Sequence, residues 1–302
     1  MTGGEIVAGA AASKAAAEAV KGIDLEQKAV NKELLAKAKT TPGFEVAAAT
    51  YGRRQAVKQQ VLLNLYKPLA LIMGVSREYF QHDFGIDLAE KTRDIPEEDL
   101  QTPKASVAGP AMEGLGYSLE EPDLKNLYLE LLAKASHKQE ATRVHPSFAG
   151  VIRELSEVEA QYLPQFIVGT SNRAIVQIQM VFEPGSSNLV ARNHVLDLKD
   201  SMGNPLIDLQ LPTYVDNWAR LGLVEVHYDA HLKDDRYLPI EERVEVKRMM
   251  EEINNTPVPE GFASVHGLAQ KGYLKPTAFG EQFAAVVGMT AFVPQPEDPA
   301  SL

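Results

Sequence analysis

The stretch HYDAH places His227, Asp229 and His231 at alternate positions. On a β-strand, alternate side chains share a face, and two imidazoles with a carboxylate are a donor set for zinc or manganese. Asp234 and Asp235 follow a few residues on. The same spacing also produces an ordinary polar, solvent-facing strand, which is its commoner origin. A second polar cluster surrounds His145, which precedes Pro146 and has His137 and Arg143 close in sequence. An imidazole general base beside an anion-binding guanidinium is one reading. The simpler one is a His-Pro step that ends a loop and starts a helix, with the imidazole capping the turn. A third set lies in TYVDNWARLG, where Asn217, Trp218 and Arg220 could reach into a nucleic-acid groove if this were a recognition helix. Trp218 and Leu221 at helical spacing read more readily as core.

The familiar signatures are missing. There is no G-x-x-x-x-G-K-[ST], G-x-G-x-x-G, G-x-S-x-G or H-E-x-x-H, so neither nucleotide hydrolysis, dinucleotide redox chemistry, hydrolase-fold chemistry nor zincin chemistry has its usual mark. No cofactor is expected, and no catalytic residue can be named. With no cysteine in 302 residues, disulfides, thiolate metal sites and cysteine nucleophiles are excluded together, and a reducing, cytoplasmic setting fits.

Charge is divided unevenly. Residues 1–75 carry 10 Lys and Arg against 6 Asp and Glu, leaving 20 against 35 for residues 76–302. The acidic remainder repels nucleic acid and anionic lipid. The mildly basic start could touch either through Lys21, Lys28, Lys32, Arg53, Arg54 and Lys58, although a solvated helix face explains the same residues. The alanine-rich start is interrupted by Glu5, Lys14 and Glu18, which argues against a signal peptide. The apolar run 61–75 is broken by Lys67 and Pro68 and is too short to span a bilayer.

The elements that would carry these residues fall into two styles. Residues 1–40 are alanine-rich and helix-forming, and residues 41–167 read as a helical domain. Within it, Ser118 and Glu121 have capping-box spacing, and Leu124, Leu127, Tyr128, Leu131, Leu132 and Ala135 form one helical stripe. Ser156 and Glu159 repeat the capping pattern. The period then changes: Val176, Ile178, Met180 and Phe182 alternate with Gln177 and Gln179, predicting a strand and, after EPGSSN, a returning partner. The order that follows is helix, strand, charged helix, a short strand pair around VHGLAQKGYLKPT, and helix. It suggests a winged-helix-like module. The expectation is therefore a mainly α chain: a helical N-terminal region, then an α+β winged-helix-like domain over 168–290, with 291–302 a disordered tail.

Several segments in order resemble the abortive infection alpha family of bacterial anti-phage proteins. They are YKPL at Tyr66 to Leu69, IPEEDLQTPKASVAGPAMEGLGY at Ile95 to Tyr117, EEPDLKNLYLELLAKA at Glu120 to Ala135, and VHPSFAGVIRELSEVEAQYL at Val144 to Leu163. NWARLGLVE at Asn217 to Glu225 and KGYLKPTAFGEQF at Lys271 to Phe283 extend the likeness toward the C-terminus. Its most specific element is the spacing of Pro110, Leu127, Leu131, Leu132, His145, Pro146 and Phe148. The resemblance implies association with phage resistance and supplies no reaction and no catalytic residues.

The expectation for function is thus non-enzymatic defence acting through protein contacts, with a protein partner or self-association through a helix at Ile6 to Val20. One rival is a winged-helix DNA-binding regulator, which the acidic charge of the region disfavours. Another is a membrane-active effector using the N-terminal apolar stretches in peripheral membrane contact.

Overall fold

In a computed structural model of the chain, the described residues are 58–63, 65, 66, 77–169, 171–184 and 187–291. The chain divides into two units, 1–60 and 61–302, and the second is described here. The expectations for the alanine-rich segment 1–40, its self-associating helix and the tail from 292 onward lie outside the described residues.

Short helices come first: α1 (Arg77–His82), α2 (Phe84–Lys91), α3 (Ala105–Tyr117), α4 (Pro122–Ala135), α5 (Phe148–Arg153), α6 (Glu157–Tyr162) and α7 (Pro164–Ile167). The leucine stripe of α4 is buried as its spacing requires, and α4 packs against α2, α3, α5 and α6. Each such side chain contributes roughly 1.5–3 kcal/mol by leaving water. Of the two capping patterns, only that of Ser156 and Glu159 forms, with each side chain bonded to the other's backbone N–H at the start of α6. Ser118 is the C-cap of α3 and does not cap α4, which begins at Pro122, whose ring presets the first helical turn. Residues 105–117 form a helix that runs through Pro110.

The second half is β1 (Arg173–Glu183), β2 (Ser187–Val195), α8 (Leu211–Arg220), β3 (Val224–His227), α9 (Leu238–Glu241), α10 (Val244–Asn254), β4 (Ser264–Pro276) and α11 (Ala278–Val286). The strands form one curled antiparallel sheet in the order β2-β1-β4-β3. The alternation of β1 is realised: Val176, Ile178 and Phe182 pack with α9 and α10 residues such as Ile240, Val246 and Ile253. Ile175, Leu274 and Val224 join instead a core that runs without interruption into α4, α5, α8 and α11.

This sheet overturns the mainly α, winged-helix expectation. The winged-helix reading split VHGLAQKGYLKPT, which holds Gly267 and Gly272, into a short strand pair. Both glycines lie instead inside a 13-residue strand, β4, which pairs with β1 from Arg173↔Leu274 to Glu183↔Ser264 and with β3 on its other side. The glycines are there for close approach. A Cβ on Gly267 would sit 2.9 Å from the Met250 sulfur, and one on Gly272 would sit 2.2 Å from the His227 carbonyl oxygen. With β4 central, the β1–β2 hairpin and the later strands form one sheet.

Candidate functional site

The most unusual backbone conformation in the sheet is at His194. Val176 pairs with Val195 and Ile178 with Arg192, so Asn193 and His194 together oppose Gln177 in a β-bulge. His194 has φ 52°, the only non-glycine residue at positive φ among the described residues. Bulges re-aim side chains, and this one sets the imidazole between α8 and the end of β3. Its Nε2 is 3.0 Å from Asp216 Oδ1, its Nδ1 is 3.1 Å from the Tyr228 hydroxyl, and the two rings stack at 6.1 Å.

Proton placement follows from the partners. In the neutral imidazole, because a carboxylate only accepts, Nε2–H donates to Asp216 and Nδ1 accepts from the Tyr228 hydroxyl. Burial, joined by the charge of Asp216 and opposed by a hydrogen bond from the His194 backbone, pushes the Tyr228 phenol up to about 12. A nucleophile needs the opposite shift. The chain Asp216–His194–Tyr228 is therefore suited to strapping α8, β2 and β3 together, with the phenol kept protonated as donor. Around it run amide contacts: Asn188 donates to Gln179, Gln179 to Gln177, Gln177 to Asn193, and Gln270 to the Tyr228 carbonyl at 3.1 Å.

The sequence pointed elsewhere. β3 stops at His227, so Asp229 and His231 do not continue its alternation. The His227 ring stacks on Tyr273 at 4.8 Å, with Glu225 at 3.4 Å and Asp229 at 3.8 Å. Among the described residues, no three His, Cys, Asp or Glu side chains are grouped so that they could hold a metal ion. Tyr228, the residue of HYDAH that was passed over, is the one that reaches another element's imidazole.

Asn217 and Arg220 are engaged within the protein. Asn217 donates to the Glu154 carbonyl at 2.9 Å and to the buried Glu159 carboxylate at 2.8 Å. Its own oxygen accepts from Arg220, whose guanidinium is also 2.7 Å from Glu154. Trp218 is fully buried against Phe166. Asn217 and Arg220 of α8 are thus spent on Glu154, at the end of α5, and on Glu159 of α6.

Leu127, Leu131, Leu132 and Phe148 are core residues, and Phe148 packs on Phe279 and Phe283 of α11. His145 is exposed, its Nδ1 2.6 Å from the Ser147 hydroxyl and accepting from the Ser147 N–H, with its ring near Phe148 and Phe279. That is the turn-capping role. Arg143 is 3.4 Å from Glu140, and His137 pairs through its backbone with Leu100. Pro110 is an exposed residue of α3 on the rim of a cleft of about 420 Å³ that also borders Tyr128 and Arg153.

The spacing of these residues now has a structural cause: it places the α4 stripe and the His145–Phe148 corner against α11. A family described as abortive infection alpha matches residues 76–287. The chain belongs to the abortive infection alpha family. The matched span runs from just before α1 through α11, so the whole sheet lies within the abortive infection alpha region, while core residues Leu62 and Tyr66 precede it. No curated protein and no solved structure matches. No helix among the described residues is long and apolar enough to cross a membrane.

Proposed function

We propose that this abortive infection alpha chain acts in anti-phage defence by binding a protein partner along the outer edge of β2. The observation that carries this reading is the composition of that edge. β2 ends the sheet, and Leu189 and Val190 on it are 61% and 50% exposed. A strand edge offers unpaired N–H and C=O groups, and natural proteins usually blunt one with charge, proline or a covering element. Here the neighbouring surface is apolar too: Ile207 and Leu209 are exposed beside a groove that Met249 of α10 also lines. An extended segment that adds to β2 gains backbone hydrogen bonds and sets alternate side chains on apolar surface.

The test is a phage challenge of cells carrying the wild-type protein, the double variant Leu189→Lys/Val190→Lys, or neither. Wild type should reduce plaque formation, and the double variant, its fold checked by circular dichroism, should lose that protection. Equal protection by both would remove β2 from the mechanism. Plaques unaffected by the wild type would remove the defence role itself.

A further inference from the structure

A cleft of about 400 Å³ opens between α7, the start of β1, the segment after β2 and the turn before α9. In a chain of formal net charge −11 it gathers three cations, Arg173, Lys199 and Arg236, against the carboxylates Asp197 and Asp235. Among the described residues, neither guanidinium has a carboxylate within the 4.0 Å of an ion pair. Arg173 is fixed from behind, Nε donating to the Gln165 carbonyl at 3.1 Å and Nη2 to that of Val168 at 3.0 Å. Arg236 donates to the Asn172 carbonyl at 3.3 Å. Asp197 is divided between Lys199 at 3.1 Å and the buried Arg243 at 3.8 Å. Gln165 holds the Lys199 backbone from both sides, accepting from its N–H at 3.1 Å and donating to its carbonyl at 2.8 Å.

We propose that this cleft binds a phosphorylated small molecule of mononucleotide size, its phosphate taken by Arg173, Arg236 and Lys199. Two guanidiniums near each other, with no carboxylate ion-paired to either among the described residues, repel one another, and a shared dianion removes that repulsion. The Arg173 guanidinium is held below its usual range by burial and then by the charge of Arg236. Guanidiniums match the oxygens of phosphate with paired, planar N–H donors. The volume sits in the range of small-molecule sites, about 300–1,000 Å³, and Phe166, Val168 and Pro239 offer apolar wall for the rest of the ligand. Inorganic phosphate alone would leave that wall unused. This site is separate from the β2 edge, and either can stand without the other.

The experiment is isothermal titration of the full chain at low salt with inorganic phosphate, with 5′-AMP, GMP, CMP and UMP in turn, and with adenosine as the uncharged comparison. At least one mononucleotide should bind saturably and at least about tenfold tighter than inorganic phosphate or adenosine, a difference of about 1.4 kcal/mol. Arg236→Gln, at a side chain whose one hydrogen bond among the described residues is to the Asn172 carbonyl, should weaken that binding at least about tenfold while leaving the unliganded melting temperature in place. Lys199→Gln is the second variant should the first fail to fold. Several outcomes overturn the proposal: no saturable heat with any probe at about 5 mM, a range where even weak millimolar sites register; unchanged affinity in both variants; or phosphate or adenosine binding as tightly as the nucleotides.

Discussion

Gly272→Ala tests whether β4 is the centre of a sheet or half of a wing. The added Cβ would lie 2.2 Å from the His227 carbonyl oxygen and 2.6 Å from the Tyr228 ring. Carbon–oxygen contacts settle near 3.3 Å, so the two strands must part by roughly 1 Å. The obstacle is backbone, and no rotamer change relieves it. Overpacking of this kind destabilises by about 1–3 kcal/mol or more. The shift also draws Tyr228 from His194, now 3.1 Å apart, for about another 1 kcal/mol. A total near 3 kcal/mol converts to a melting temperature lower by roughly 6–12 °C. Gly109→Ala is the matched comparison: it lies in α3 with nothing within 4 Å of the new Cβ, so it should stabilise the helix by about 0.5–1 kcal/mol. Thermal melts by circular dichroism read both. If Gly272→Ala melts within about 1 °C of wild type, on the scale of 2–4 °C per kcal/mol, the close packing of β3 on β4 is wrong.

Three further outcomes are expected. Tyr228→Phe leaves Nδ1 of the largely buried His194 without its donor, and urea unfolding should show a loss of about 1–2 kcal/mol; an unchanged midpoint and slope would refute the assigned tautomer. Asn217→Ala deprives the buried Glu159 carboxylate of a donor and should destabilise by about 1–3 kcal/mol, whereas Arg220→Ala, at an exposed ion pair, should cost under about 1 kcal/mol; the reverse ranking would return Arg220 to a functional role. Tyr128, Tyr162 and Tyr228 are each pushed up to about 12, burial being the first cause. A raised folded value means the protonated phenols stabilise the fold fully below the unfolded value of about 10, and that stability is lost as pH rises through 12. Melting temperature should therefore fall between pH 10 and 12, and tyrosinate absorbance in the folded protein that saturates by pH 10 would contradict it.

What the sequence disclosed is what a short window contains. The α4 stripe needs only its own fourteen residues, and the alternation of β1 only eleven, because each pattern is written by one element facing one core. The His145 corner was legible for the same reason, since a cap acts on the next turn. Ser118 shows the limit: spacing of Ser and Glu permits a capping box, but Pro122 had already set where the helix begins. The helices and most strands of the C-terminal half were found one by one, and what failed was the strand pair that proved to be β4 and the assembly built on it.

Glycine is ambiguous in a sequence because one residue type answers two different demands. In a turn, glycine supplies positive φ; in β4 it supplies the absence of a Cβ, so that Met250 and the His227 carbonyl can come close. Both demands leave the same letter in the chain, and only the partner distinguishes them. The same reasoning explains why HYDAH drew attention to the wrong residues. His227, Asp229 and His231 share a spacing within five positions, whereas Tyr228 finds His194 thirty-four residues earlier and Asp216 lies twelve before it. His194 did leave one local trace: Asn-His within a strand pattern, two residue types enriched in the left-handed region that a bulge requires. The cations of the cleft left none, because Arg173, Lys199 and Arg236 come from three separate segments and meet only once β4 has drawn the sheet together.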